Sequence, residues 1–194
     1  MSYKDMAILK NKILLQILLA GLVATIYFLY TNTNAKVETN TPRKGGYAET
    51  VYLEKKYESY KLPKSFFTVT RDINLGNNEK VLVFRFSELN CGSCVTREIR
   101  ELRDFAKKYG WEQIIFLATN SDNEALETYK RVSGIKTEVY NINQHFFELD
   151  KELIDTPYMF IIDQDSIIKE LFISMKQDPD RSVDYFNSIS KYFE

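Results

Sequence analysis

The chain has 194 residues, of which 44% are hydrophobic and only 4 are proline, a composition typical of folded proteins rather than disordered ones. Its formal net charge is −1, with acidic and basic residues interspersed, so we expect no nucleic-acid partner. The 2 cysteines are too few for a small domain held together by several disulfides, and the length leaves room for one ordinary domain with an appendage.

An uncharged apolar run, ILLQILLAGLVATIYFLY, occupies residues 13–30. At about 1.5 Å per residue, a helix over this run is roughly 27 Å long, which is enough to cross the hydrocarbon core of a bilayer. A cleaved signal peptide is the alternative, but its apolar core is usually only about 7–15 residues long. We therefore predict a single-pass membrane anchor over residues 13–30.

Basic residues flank the predicted anchor on both sides. Lys10 and Lys12 lie close before it, and the N-terminal amine adds a positive charge, whereas Lys36 and Arg43 follow it at a greater distance. The positive-inside rule then predicts that residues 1–12 are cytoplasmic and that the rest of the chain lies outside the cytoplasm.

A polar segment with a proline and a glycine pair, residues 31–46, follows the anchor and is typical of a flexible tether. Residues 47–60 are predicted to form an amphipathic helix, which is either a spacer or an extra element packed on the domain. We place the linker and this helix at residues 31–62 and the folded domain at residues 63–194.

From Pro63 onward, strand and helix patterns alternate. β-Rich composition predicts strands over residues 65–70, 81–86, 114–119 and 138–142. One amphipathic helix is predicted from Cys91 to Gly110, with Val95, Ile99 and Leu102 on its inner face and Arg97 and Glu98 on its polar sides. A second helix is predicted from a Ser121–Asp122 cap to Arg131, with Leu126, Tyr129 and Val132 inward.

The C-terminal part completes this pattern. Residues 144–153 are predicted to be helical, and residues 158–163 and 167–173 are predicted to form a β-hairpin. A last helix is predicted after Pro179, with Val183, Phe186, Ile189 and Phe193 as its apolar face. Together the elements predict one α/β domain with a mixed central sheet flanked by helices.

Both cysteines lie in the stretch RFSELNCGSC, residues 85–94, between a predicted strand and a predicted helix. The N-terminus of a helix favours negative charge, and only the thiolate form of cysteine is a good nucleophile. Cys94, about one turn later, can attack a mixed disulfide formed on Cys91. We therefore predict that Cys91 is the exposed nucleophile and Cys94 the more buried resolving thiol.

Other roles for the cysteine pair stay open. A structural zinc site needs four ligands, which two cysteines and the single histidine, His145, do not supply. A copper carrier using Cys91, Cys94 and His145 is chemically suitable, because thiolates and imidazole bind copper well. A non-catalytic binding module, whose disulfide forms passively, is the remaining alternative. For the redox interpretation we expect no cofactor and no metal.

The run RFSELNCGSC followed by a helix, with TPYMFIIDQDSII about 60 residues later, resembles thioredoxin-like proteins. It is most similar to the membrane-anchored TlpA/ResA branch, and the resemblance covers residues 63–194. The resemblance implies that Cys91 attacks, that Cys94 resolves and that Pro157 is a cis-proline. It also implies that Thr156 offers main-chain groups to a substrate peptide, which Gly92 and Ser93 would also contact.

The sequence departs from this family pattern at several positions. Asn90 replaces the tryptophan that usually precedes the first cysteine, and Ser93 replaces a common proline. Arg85 stands where thioredoxins carry a buried acid, and an arginine cannot accept the proton of the resolving thiol. We expect Arg85 either to lower a thiol pKa or to pair with Glu88, and we predict Glu88 as the proton acceptor.

These observations predict a thiol–disulfide oxidoreductase anchored in a bacterial inner membrane, with its C-terminal domain in the periplasm or another extracytoplasmic space. The resemblance implies that the protein reduces protein or peptide disulfides and is itself reduced by a membrane electron donor protein. Peroxidase chemistry on the same fold normally needs a lone peroxidatic cysteine, which the CGSC motif does not fit.

Overall fold

The computed structural model describes residues 46–69 and 80–194. The predicted cytoplasmic N-terminus, the membrane anchor and nearly all of the tether lie outside the described residues. In the part that is described, no helix combines the length and the apolar character needed to cross a membrane.

A five-stranded sheet forms the centre of the described domain. Its strands are β1 (Lys80–Ser87), β2 (Ile114–Thr119), β3 (Val139–Asn141), β4 (Tyr158–Asp163) and β5 (Ile168–Ile173). Their order across the sheet is β3-β2-β1-β4-β5. Strands β1, β2 and β3 are parallel, whereas β4 pairs antiparallel with both β1 and β5. This is the topology of a thioredoxin-like fold, and it confirms the predicted mixed sheet and the predicted hairpin.

Three helices are present beside the strands on one face of the sheet: α3 (Gly92–Tyr109), α4 (Asn123–Ser133) and α5 (Asp180–Ile189). Because side chains alternate along a strand, every second residue of β1 joins their core. The buried cluster on this face includes Leu82, Phe84 and Phe86 from β1, Leu102 from α3, Leu126 from α4 and Ile189 from α5.

The inner faces of α4 and α5 differ in part from the prediction. Val132 of α4 is 78% exposed and Val183 of α5 is 47% exposed. In α5 the buried positions are Ser182, Tyr185 and Ile189. The buried face of α5 is therefore shifted by about one residue from the predicted face. The Tyr185 ring packs on Phe172 of β5 and occupies the inward position.

The opposite face of the sheet is covered by α1 (Tyr47–Tyr57), α2 (Lys64–Val69) and the segment between β3 and β4. Leu53 and Tyr57 of α1 join the buried cluster on this face, so α1 is an element packed on the domain rather than a spacer. The strand predicted over 65–70 is wrong, since residues 64–69 are helical. Phe66 is fully buried and packs on Phe147. The apolar residue that suggested a strand is therefore explained by the burial of a helix.

Helix α1 also lies along the free edge of β5. The Glu54 carboxylate accepts a hydrogen bond from the Ile173 backbone N–H at 2.9 Å and from Arg181 at 2.8 and 2.9 Å. The Glu58 carboxylate accepts from the backbone N–H groups of Glu170 and Leu171 at 3.1 and 3.3 Å. Two carboxylates therefore occupy backbone donors that an edge strand otherwise leaves unpaired.

Candidate active site

The two cysteines lie where β1 ends and α3 begins. Cys91 is the N-cap residue of α3 and is partly exposed, whereas Cys94 is buried within the first turn of the helix, with 3% of its surface accessible. Both are free thiols. The strand therefore delivers one thiol to the surface, and the helix carries the other into the core.

The two thiols differ in acidity. Hydrogen bonds from the Cys94 thiol and from Ser93, whose Oγ lies 3.2 Å from Cys91 Sγ, lower the pKa of Cys91 to about 7. Burial, with a further contribution from the bond to Cys91, raises the pKa of Cys94 to about 11. At pH 7 about half of the exposed Cys91 thiol is thus ionised, whereas the buried Cys94 thiol keeps its proton. This asymmetry is what the predicted roles of nucleophile and resolving thiol require.

The loop before β4 is held directly against the cysteines. The Cys91 backbone N–H donates to the Asp155 carbonyl at 3.0 Å. The Asn90 side chain donates to the Ile154 carbonyl at 3.2 Å and accepts from the Ser87 backbone N–H at 2.6 Å. Asn90, which replaces the tryptophan of the family pattern, therefore ties this loop to the CGSC turn.

Pro157 is buried at the end of the same loop, and Thr156 beside it is half-buried. The predicted cis-proline is wrong, because none of the described peptide bonds, including that before Pro157, is cis. Trans is the lower-energy isomer of an X–Pro bond unless the surroundings impose the other. Thr156 and Asn90 line a small pocket of about 10 Å³, roughly the size of one water molecule.

Arg85 is buried beneath this site, and its partner is Asp150 rather than the predicted Glu88. Its Nε donates to Asp150 Oδ1 at 3.1 Å, and Tyr158 Oη donates to the same oxygen at 2.8 Å. Asp150 Oδ2 accepts from the Phe147 backbone N–H at 3.0 Å. Asp150 lies in a short 3-10 helix, Glu148–Lys151, within the stretch 144–153 that was predicted to be helical.

Glu88 is exposed and does not contact either thiol through its hydrogen bonds. Its two carboxylate oxygens accept from the Ser121 backbone N–H at 3.2 Å and from the Ser121 hydroxyl at 3.0 Å. These bonds hold the start of α4 against the end of β1. These bonds give Glu88 a structural role, and its hydrogen bonds include neither sulfur, so its predicted role as proton acceptor stays a prediction.

Sequence analysis missed a second buried carboxylate, Glu98, which lies one turn after Cys94. Glu98 is fully buried, although the helical pattern placed it on a polar side of α3. Its Oε1 accepts from Ser174 Oγ at 2.6 Å and from Ser182 Oγ at 2.8 Å. The i, i+4 spacing from Cys94 was the available signal. The serines that hold Glu98 come from distant parts of the chain and gave no signal.

A mostly apolar cleft of about 150 Å³ opens beside the CGSC turn. Gly92 and Asn90 border it on the cysteine side, and its lining includes Phe86, Val95, Leu126 and Tyr129. A cavity of about 150 Å³ lined by apolar side chains can hold a benzene-sized group. Gly92 is exposed, and a Cβ at this position would have open space around it.

The structure does not support the copper-carrier alternative, because His145 does not lie with Cys91 and Cys94. Among the described residues, no group of three or more histidine, cysteine, aspartate or glutamate side chains is placed to hold a metal ion. His145 is exposed in the segment between β3 and β4 and does not join the thiols. Cys91 and Cys94 alone are too few ligands for a closed site within this chain.

No family model matches the chain, and no curated protein matches it. Among solved structures, it is similar to the thioredoxin domain of a thiol-disulfide oxidoreductase from Bacteroides vulgatus, with 14% identity and a TM-score of 0.46, over 64% of this chain and 84% of that one.

Two further solved structures are also similar. A thiol:disulfide interchange protein of the thioredoxin family from Chlorobium tepidum has 18% identity and a TM-score of 0.39, over 59% of this chain and 82% of that one. A mutant of PrxQ from Xylella fastidiosa has 12% identity and a TM-score of 0.43, over 64% and 82%. The fold assignment itself rests on the strand order and directions described above.

Proposed function

We propose that this protein is a membrane-anchored thiol–disulfide oxidoreductase that reduces protein disulfides outside the cytoplasm through its CGSC motif. The observation that carries the proposal is the asymmetry between the two thiols. Cys91 is accessible and has a pKa of about 7, whereas Cys94 is buried and has a pKa of about 11. A passive disulfide in a binding module needs no such difference.

The reaction uses each thiol once. The Cys91 thiolate attacks one sulfur of a substrate disulfide, forms a mixed disulfide with it and expels the other substrate sulfur as a thiolate. Cys94 then attacks the Cys91 sulfur, which forms the Cys91–Cys94 disulfide and releases the second substrate thiol. Two electrons pass to the substrate, and a membrane electron donor protein must return them to the cysteine pair.

The surfaces beside Cys91 suit a polypeptide substrate. Thr156, in the loop tied to Cys91, would offer main-chain groups to an extended peptide. Gly92 and Ser93 form the exposed first turn of α3, and the apolar cleft next to Gly92 has room for one side chain of the substrate.

The direction of electron flow is tested by the reduction potential of the cysteine pair, measured on the full chain in detergent against glutathione or dithiothreitol buffers. A value near −250 mV or lower supports a reductase, and a value near −120 mV an oxidant. If the pair never equilibrates with thiol buffers, the redox proposal fails and the binding-module alternative replaces it.

The anchor and its orientation belong to the same proposal. Residues 13–30 would span the bacterial inner membrane, and the domain would face the periplasm or another extracytoplasmic space. A membrane-impermeant maleimide added to intact spheroplasts should label Cys91 before lysis. Labelling only after lysis would place the domain on the cytoplasmic side and contradict this location.

A further inference from the structure

The apolar cleft beside the CGSC turn lies on the side of β2 and α4, and no residue of the loop that contains Thr156 lines it. Phe86, Val95 and Leu126 form its floor, with 5%, 4% and 3% of their surfaces accessible. The Tyr129 ring packs beside Phe86, and the two ring centroids are 5.9 Å apart. Apolar surface of this kind favours contact with the methylene groups of a side chain.

The edge of the cleft carries a negative charge. Glu88 is the one charged residue among the described residues that line the cleft, and its side chain is exposed. Its carboxylate is held in place by the hydrogen bonds from the Ser121 backbone and hydroxyl. Each carboxylate oxygen has two lone pairs, so Glu88 can accept further donors. A positioned anion therefore stands beside an apolar floor.

The surroundings of Cys91 add charge of the same sign. Hydrogen bonds join residues 86–94, 119–124 and 153–158 around the thiol. These segments contain no lysine or arginine, and their acidic residues are Glu88, Asp122, Glu124 and Asp155. Complementary charge speeds encounter and like charge suppresses it, so the surface around Cys91 favours a cationic group over an anionic one.

Ser87 adds a buried hydroxyl that has no partner. It is 8% accessible and lines both the cleft and the small pocket beside Asn90, and its Oγ has no hydrogen-bond partner among the described residues. A buried hydroxyl without a partner is costly, and its oxygen can accept a hydrogen bond. Basic side chains carry several N–H donors and apolar side chains carry none. The polar groups of the cleft thus favour a side chain that donates.

We propose that the cleft selects substrates that carry a lysine or arginine beside the cysteine that Cys91 attacks. The methylene stem of that side chain lies along the floor of the cleft, and its charged head pairs with Glu88. An apolar side chain uses the floor alone, and an acidic one meets the Glu88 carboxylate with like charge. Glu88 is then a specificity-determining residue, and this inference rests on the proposed function.

The test compares peptide disulfides that differ in one side chain, placed in turn before and after the cysteine. The side chains are lysine, glutamate and norleucine, which has the stem of lysine without its ammonium group. The full chain is reduced in detergent and mixed with each peptide. A fluorophore and a quencher on the two halves of the disulfide separate when Cys91 attacks, which gives the second-order rate constant.

At low salt we expect the lysine peptide to react about threefold to fivefold faster than the norleucine peptide, the upper range for an exposed ion pair. The glutamate peptide should react more slowly than both. The advantage of lysine should shrink at about 1 M salt, where the Debye length is only about 3 Å.

Glu88→Gln keeps an oxygen that accepts from Ser121 and removes the charge, so the ratio of the lysine rate to the norleucine rate should fall to about 1. Glu127→Gln removes an exposed acid of α4 outside the lining, and this matched control should keep the native ratio. If Glu88→Gln does not fold, the salt dependence of the native ratio decides the question.

Either of two results would overturn this inference while leaving disulfide reduction intact. One is a norleucine peptide that reacts with the native protein as fast as the lysine peptide. The other is a ratio that Glu88→Gln leaves at its native value, including the case in which the variant slows all peptides equally. If the native protein reduces none of the peptides, it is the proposed function that fails.

Discussion

Each face of the sheet holds a buried carboxylate near the CGSC turn. The two carboxylates, Asp150 and Glu98, differ in how many of their oxygens are hydrogen-bonded. On one face, Arg85 meets Asp150, and Asp150 uses both of its oxygens. On the other face, Glu98 has one oxygen with three partners and one oxygen with none among residues 46–69 and 80–194. A fully satisfied pair supports the fold, whereas a buried carboxylate oxygen without a hydrogen-bond donor carries a desolvation cost that the rest of the fold offsets. The two buried carboxylates near the CGSC turn therefore differ in how completely their oxygens are hydrogen-bonded.

The largest expected effect comes from breaking the satisfied pair. Asp150→Ala leaves the Arg85 guanidinium buried without a counter-charge, so we expect a loss of about 3–5 kcal/mol in the free energy of unfolding. Urea denaturation of the reduced protein measures it. Glu148→Ala, which removes an exposed carboxylate from the same 3-10 helix, is the control and should cost under about 0.5 kcal/mol. A loss of less than about 1 kcal/mol for Asp150→Ala would contradict the claim that the Arg85–Asp150 pair stabilises the fold.

A much smaller change in stability is expected on the other face. Glu98→Gln keeps an oxygen to accept from Ser174 and Ser182 and loses only the charge-assisted bond with Arg97. We therefore expect the free energy of unfolding to change by no more than about 1 kcal/mol. The same urea titration applies. A loss as large as that of Asp150→Ala would mean that Glu98 serves mainly the fold.

The next prediction concerns the pKa of Cys91, which sets its rate of alkylation. Since the bond from the Cys94 thiol is the largest cause of the lowered Cys91 pKa, Cys94→Ala should move that pKa upward from about 7 toward its ordinary value. A rise of one unit reduces the thiolate fraction at pH 7 by about fivefold, and alkylation by iodoacetamide should slow in proportion. A pH profile of alkylation that still has its midpoint near 7 would show that another group sets the acidity.

The smallest effect is expected from Ser93. Its hydroxyl is the second cause of the lowered Cys91 pKa, through the 3.2 Å contact with Sγ. Ser93→Ala should therefore slow alkylation at pH 7 by about twofold, in the same direction as Cys94→Ala but to a lesser extent. Faster alkylation in this variant would contradict the assigned contact.

Local patterns in the sequence were enough to predict most of the fold. The strand over 114–119, the hairpin and the Asp122 cap of α4 all follow from short-range signals, and the structure contains each of them. The helix at 64–69 was missed because an apolar, β-rich stretch next to Pro63 is helical when packing on the sheet decides its conformation.

The partners of the buried charges could not be predicted in the same way. Arg85 and Asp150 are 65 positions apart in the chain, and Glu98 meets Ser182 across 84 positions. Such pairs depend on which elements the fold brings together, and neither periodicity nor composition reports that. The cysteine pair was found from sequence because its two members are neighbours in one helical turn.

The position of α1 along β5 has a consequence for self-association. An open strand edge can template the addition of another chain, which leads to aggregation when identical domains are crowded together. Here Glu54 and Glu58 hold the backbone donors of β5, so an approaching strand finds these donors already occupied. At the other side of the sheet, β3 spans only Val139–Asn141 and offers little length for pairing. The domain is therefore expected to stay monomeric at high local concentration, with its sheet closed to strand exchange.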